Sequence, residues 1–281
     1  MKRIYLLTII TMIAAVATAG SVQGQASSTN GPARGSLVLQ GGVGLNRAIA
    51  SAFVALAGGP ASHIVVIPTA SVGDAGPPGM ADFLARRMKE SFGVAEVTVL
   101  HSLDRSTSDS ENFVDPLRHA TGVWILGGFP ENLVKSYLGT RTERAIRELL
   151  DRGGVVGGES AGAMIQGSWL DSTDSEFTPE IRKLMQAHAA GGGFGLLTSA
   201  AIFPHFDKRG NSAAVKESAA HPNQLAIGID EQTALIINGD RAEVVGLGTV
   251  SVYDGRRHGA SNVVVLRSGD RYDLAGRRKL N

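Results

Sequence analysis

Gly154-Val155-Val156-Gly157-Gly158-Glu159-Ser160-Ala161-Gly162 is the stretch on which the reading of this sequence turns. Its first four residues form a short apolar run bounded by glycines, which predicts a buried strand rather than a helix. The next five satisfy G-x-S-x-G in the strand-to-helix context that gives the pattern meaning, with a helix opening at Ala161. Small neighbours are required there because the serine sits on a sharp, strained turn, where larger side chains would collide with strand or helix. At the helix N-terminus Ser160 Oγ gains from the helix dipole, and the N–H of Ala161 points where a tetrahedral oxyanion would form. The plainer alternative is a glycine-rich turn whose serine only caps the helix.

Outward from this turn, strands alternate with helices. Ser36–Gln40 and His63–Pro68 read as strands around a helix over Asn46–Ala57. A helix over Met80–Phe92, a strand over Glu96–Leu100, a helix near Glu111–His119, a strand over Gly122–Leu126 and a helix over Arg141–Asp151 lead to the serine turn. Continuously apolar strands separated by helices predict an α/β fold with a mostly parallel sheet covered on both faces. From Leu225 the texture changes to strands at Leu225–Ile229, Ala234–Asn238, Ala242–Val245, Val250–Tyr253 and Val263–Leu266, an antiparallel C-terminal extension of the same sheet. No linker or internal repeat divides the chain, so one domain over 36–281 is expected.

A serine nucleophile needs a base and an orienting acid. Of seven histidines, His63 starts a strand, His101 ends one and His119 closes a helix. His205 follows Ala200-Ala-Ile-Phe-Pro204, where a strand would deliver it to the edge that carries Ser160; His258 lies in a turn. Asp230 and Glu231 break a long apolar run, whereas Asp171 and Asp174 follow the serine's helix. Gly127-Gly128 ends the preceding strand, and adjacent strand ends lie side by side in a parallel sheet. That brings forward the N–H of Gly128 as a second oxyanion donor, beside the reading of an ordinary turn. Two chain orders are open: Ser160, His205, Glu231, or an α/β-hydrolase-like esterase with Ser160, then Asp230 or Asp254, then His258.

Composition narrows the field. Lys+Arg 27 against Asp+Glu 26 leaves a net charge of +1, with no basic stripe for a phosphate backbone, so no nucleic-acid partner is expected. The 36 glycines and the low 5% aromatic content suit a turn-rich α/β protein. Zero cysteines exclude disulfides, thiolate nucleophiles and Cys-based metal sites. No cluster of ligating residues at metal spacing appears, and the sequence calls for no metal or cofactor. Met1-Lys2-Arg3 followed by the apolar run Ile4–Ala17 and Ala17-Thr18-Ala19 reads as a secretory signal over 1–19, cut after Ala19 or Ala26. The run is shorter than the ~20 residues of a membrane anchor, so none is expected. Residues 20–35 read as a flexible N-terminus, and the location as periplasmic or extracellular.

Taken together, these residues resemble peptidase family S51, the cyanophycinase and aspartyl dipeptidase group, over roughly Ser36 to Leu266. The carriers are Ile67-Pro-Thr-Ala-Ser71, Trp124-Ile-Leu-Gly-Gly128, Gly158-Glu-Ser-Ala-Gly-Ala163, Pro204-His-Phe206 with Arg209, and Ala226-Ile-Gly-Ile-Asp-Glu231 with Glu243-Val-Val-Gly246 and Val250-Ser-Val252. The resemblance implies a flavodoxin-like, glutamine-amidotransferase-like fold. It also implies nucleophile Ser160, base His205, acid Glu231, an oxyanion hole from Gly128 and Ala161, a peptide or amide substrate, and a homodimer.

The departures bear on substrate. Gly127-Gly128-Phe129-Pro130 stands where the family has a pattern similar to Gly-Gly-Asn-Gln, so Pro130 replaces a substrate-gripping glutamine. Phe203-Pro204-His205-Phe206 replaces Asp-Gln-His-Phe. Arg209 matches the first of several family arginines, but Asn211 and Ala214 stand where others are usual. Glu159, in place of a small residue, faces a substrate cation or solvent. A pocket stripped of partners for charged dipeptide units argues for a different or smaller amide than cyanophycin. It also keeps open a catalytically silent binding module.

Overall fold

The computed structural model describes residues 29–73, 78–170, 177–257 and 262–281. The first half runs β1 (Ser36–Gln40), α1 (Arg47–Leu56), β2 (His63–Ile67), α2 (Met80–Phe92), β3 (Glu96–Val99), α3 (Arg105–Ser108), α4 (Glu111–His119), β4 (Gly122–Ile125), α5 (Pro130–Tyr137), α6 (Arg141–Asp151) and β5 (Val155–Glu159). The second runs α7 (Ala161–Met164), β6 (Gly167–Trp169), α8 (Pro179–Ala187), β7 (Leu197–Pro204), α9 (Phe206–Arg209), α10 (Ser212–Ala220), β8 (Leu225–Ile229), β9 (Thr233–Asn238), β10 (Arg241–Gly246), β11 (Thr249–Asp254), β12 (Val263–Arg267), β13 (Arg271–Asp273) and β14 (Arg278–Leu280).

The main sheet has the order β14-β13-β10-β9-β1-β5-β4-β2-β3, its centre parallel and β9 antiparallel to β1. Its central parallel strands β1, β2, β4 and β5 are buried almost throughout, as the continuous apolar runs implied, whereas β3 and the outer strands β10, β13 and β14 are partly exposed. In β1, Leu37 and Leu39 enter one apolar cluster and Val38 the opposite one, all three inaccessible to solvent. Against the Val38 face pack α1 and α2, pinned by Phe53, Phe92 and Trp124, whose ring centroids lie 5.0–5.6 Å apart. Both phenylalanines meet Trp124 edge-on, at 76° and 69°, which satisfies the ring quadrupoles. The Leu37 face is covered by the helical layer that includes α4 and α6 and by a second sheet, in one continuous cluster.

That second sheet is where the strand-rich second half departs from the expectation of a single extended sheet. β9, β10, β13 and β14 extend the main sheet antiparallel. β8, β11 and β12 instead join β6 and β7 in the order β12-β11-β8-β7-β6. The physical reason is burial: β8 is inaccessible or nearly so along its length, so it needs a covered position that an exposed edge cannot provide. Of the segment 20–35 read as flexible, residues 29–35 are described and are held by hydrogen bonds. Asn30 donates through its N–H and Nδ2 to Asp240 Oδ1 (2.7 and 2.9 Å), accepts from Thr198 N–H (2.7 Å), and Gly31 N–H reaches Gly239 O (3.1 Å). Residues 29–35 therefore strap the two sheets together. The signal segment lies outside the described residues, and no described helix is long and apolar enough to cross a membrane.

Candidate active site

Both glycines of the serine turn are required by contact. A methyl group on Gly158 would lie 2.5 Å from the carbonyl oxygen of Gly162, and one on Gly162 would overlap the carbonyl oxygen of Ile125. Ser160 itself holds φ 51° and ψ −117°, a conformation that costs an L-residue about 1–3 kcal/mol. It is held there because both its backbone groups are used: its N–H donates to Gln40 O (3.0 Å), and its carbonyl accepts from Ala163 and Met164 N–H (2.9 Å each).

From this turn Ser160 Oγ meets His205 Nε2 at 2.9 Å, and His205 Nδ1 meets Glu231 Oε1 at 2.9 Å. A carboxylate only accepts, so Nδ1 carries the hydrogen and Nε2 presents its lone pair to the serine hydroxyl. The His205 and Glu231 side chains are each 20% exposed, a dry setting in which these bonds hold their geometry yet remain reachable. His205 leaves β7 at φ 53°. The following Phe206 packs so closely on Gly228 that no side chain fits there.

The sequence reading missed what aligns the line. At the end of β1 three consecutive carbonyls accept from the three segments that carry it: Gln40 O from Ser160 N–H (3.0 Å), Gly41 O from His205 N–H (2.8 Å) and Gly42 O from Gln232 N–H (3.0 Å). Gly42 lies flat against the His205 ring, where a methyl group would overlap Cε1. Gln40 Nε2 steadies the same loop through Gly44 O (2.9 Å). The signal available in the sequence was Gly41-Gly42-Val43-Gly44 closing a strand. Asp207, also unforeseen, accepts from Glu231 N–H at 3.0 Å. Burial raises its carboxyl, but that N–H and Lys208 outweigh burial and hold it below the usual range.

Around Ser160, a methyl group on Gly127 would come within 3.0 Å of the serine Cβ, so the β4 turn abuts the nucleophile position. Gly128, at φ 135°, packs on the carbonyl of Ala70 with no room for a side chain. No backbone hydrogen bond among the described residues consumes the N–H of Gly128 or of Ala161. Ser71 Oγ donates to Gly127 O. Glu159 runs along the other side of Gly127 and accepts its N–H. Burial pushes the Glu159 carboxyl above the usual range, against the pull of that N–H and of His205.

The remaining expected residues fall apart from this group. Pro130 does not reach the mouth. It is buried as the first residue of α5, where its fixed φ suits the helix start, and the exposed side chain there is Phe129 (58%). Arg209 ends α9 one turn beyond His205 and is exposed. Asp230 is committed to Thr249, accepting its N–H and Oγ1–H at 2.8 Å, and Asp254 to Arg277 at 2.6 Å. Both acids of the esterase order are thereby engaged elsewhere. His258, Asp171 and Asp174 lie outside the described residues.

A serine, a histidine and a glutamate in one hydrogen-bonded line at the C-terminal edge of a parallel sheet, beside two backbone N–H groups that no backbone carbonyl among the described residues takes, define the class: a serine-hydrolase-type site on a flavodoxin-like fold. The sequence profile of peptidase family S51 matches residues 37–245, and the chain belongs to that family. It is 30% identical over 213 residues to the cyanophycinase of Synechococcus elongatus, covering 75% of this chain and 64% of that one. It is 29% identical over 209 residues to that of Geminocystis herdmanii, covering 73% and 74%. A peptidase from an acI-B1 Actinobacterium superposes with a TM-score of 0.66 at 26% identity, over 86% of this chain and 98% of that chain. A peptidase E-like protein from Listeria monocytogenes, at 18% identity and a TM-score of 0.51 over 77% of this chain and 100% of that one, shares the fold.

Proposed function

We propose that this chain is an exported serine peptidase that cleaves a peptide or isopeptide-like amide through an acyl-enzyme. Ser160 Oγ attacks the carbonyl carbon while its proton passes to His205 Nε2, and Glu231 holds the imidazolium that forms. The N–H groups of Gly128 and Ala161 receive the oxyanion. As the C–N bond breaks, His205 gives the proton to the leaving amine. Water then attacks the acyl-enzyme, its proton goes to His205 and on to Ser160 Oγ, and the carboxylic acid leaves.

The observation that carries this reading is the 2.9 Å and 2.9 Å line Ser160–His205–Glu231. The substrate we favour is not cyanophycin. Phe129 is exposed where the resemblance places a polar residue, and Ala214 is fully buried where it places an arginine, so the charged partners of such a polymer are lacking. Export rests on the N-terminal segment, and family likeness is the reason to expect a homodimer; the mass of protein recovered outside the cell and sedimentation test them in turn. For the chemistry the test is intact-mass labelling by a fluorophosphonate. A single adduct on the wild type, absent in Ser160→Ala and greatly slowed in His205→Ala, is expected. An unlabelled wild type overturns the reading in favour of a silent binding module.

A further inference from the structure

Beside the serine turn, on the α1/α2 side of the main sheet, lies a cavity of about 350 Å³ between α2, the loop after β1 and the ends of β4 and β5. That size, at the low end for ligand sites, admits one side chain rather than a polymer. Leu45, Leu84, Met88 and Leu126 are among its apolar lining, and Glu159 provides its acid. The acid and the nucleophile are consecutive residues, and Gly127 packs against both side chains: a methyl group there would be 3.0 Å from Ser160 Cβ and 3.6 Å from Glu159 Cγ.

A carboxylate has about four acceptor positions, and the N–H of Gly127 fills one of them. No ion pair among the described residues gives Glu159 a cation. The other charge on the lining is Arg87, exposed on α2 and likewise in no described ion pair. Apolar walls with a half-buried acid suit an aliphatic stem ending in a positive charge: burying such a stem is favourable, and the pair replaces solvent that the acid has already lost in part.

We propose that this cavity is the subsite for the acyl-side residue of the substrate, selecting an aliphatic side chain that ends in a cationic group, with Glu159 as the specificity-determining residue and Arg87 opposing it at the rim. The proposal rests on Ser160 being the nucleophile.

Two fluorophosphonates of equal length, one n-hexyl and one 5-aminopentyl, test it through the ratio of their labelling rates. In each case Ser160 Oγ bonds to phosphorus, fluoride leaves and the serine proton goes to His205. The wild type should prefer the amino probe about tenfold, the gain from one charge-assisted contact. Glu159→Gln should bring the ratio close to one, and Arg87→Gln should raise it. The opposite signs separate charge reading from general damage, and Arg87→Gln, on an exposed helix face, serves if Glu159→Gln fails to fold. Labelling without preference in the wild type, a ratio unmoved by Glu159→Gln, or an Arg87→Gln ratio that falls overturns this inference alone. A wild type that accepts neither probe overturns it together with the serine reading.

Discussion

Ser160 stores strain that a glycine would not feel. Ser160→Gly should therefore abolish fluorophosphonate labelling while raising the melting temperature by about 2–4 °C, the equivalent of roughly 1 kcal/mol after the flexibility of the unfolded glycine is set against the relief. Calorimetry on the two proteins decides it; an unchanged or lower transition would mean that the turn is unstrained. Glu159 gives a second expectation at this scale. Because burial lifts its carboxyl above the ordinary 4.5, the folded protein holds that proton more tightly than the unfolded chain. Stability is thus lost as pH rises from 4.5 through the raised value and stays lost above it. Glu159→Gln should accordingly melt higher than wild type at about pH 8, and the difference should vanish well below 4.5. A difference that grows in acid would contradict it. Ser160 was legible in the sequence because the turn demands small residues on either side, a constraint written in side chains. The acid was not legible from the residues alone, since neighbouring Asp230 and Glu231 face opposite ways on an extended chain and Asp171 and Asp174 competed with them; the family resemblance pointed to Glu231, and the register of β8 against β11 shows why it is the one that meets His205.

Between elements, the site is assembled by loops that the pattern of strands and helices does not describe. The carbonyls of residues 40–42 act through the backbone, which any residue type has, so the sequence announced them only through the glycines that the close approach of Asp230 and His205 requires. The β2 and β4 turns are linked in the same hidden way. In a trans peptide the carbonyl of Gly127 and the N–H of Gly128 point in opposite directions, so the bond from Ser71 Oγ to Gly127 O fixes the aim of that N–H. Ser71→Ala should slow Ser160 labelling, and kcat on any substrate found, by about tenfold, less than the full loss of an oxyanion donor. KM should move little, and Ser71→Thr should retain the rate. If alanine and threonine behave alike, the hydroxyl has no such role. Helices α5, α8 and α10 also went unread: the first opens on the proline of Gly-Gly-Phe-Pro, a sequence dominated by turn residues, and its buried face is apparent only once α8 packs on it.

At the scale of the whole molecule, the alternation of strands and helices disclosed the main sheet, but not the partition of the later strands, because antiparallel pairing tells nothing about which sheet a hairpin joins. Arg277, next to β14 of the main sheet, reaches Asp254 of the second sheet at 2.6 Å, with side chains 10% and 7% exposed, and its guanidinium also serves the carbonyls of Pro222 and Asn223. Arg277→Met would leave a buried carboxylate with Arg257 as its other partner, at 3.4 Å, and should cost about 3 kcal/mol in urea unfolding; a loss under about 1 kcal/mol would class the pair with surface bridges.

The line from Ser160 to Glu231 begins on the main sheet and ends on the second, so its two 2.9 Å contacts act as a gauge of how the sheets sit against each other. A slip of one ångström, invisible to the packing around Trp124, would break proton transfer. Under rising heat or denaturant, inactivation should then run ahead of spectroscopic melting, and the enzyme would fail by misalignment well before it fails by unfolding.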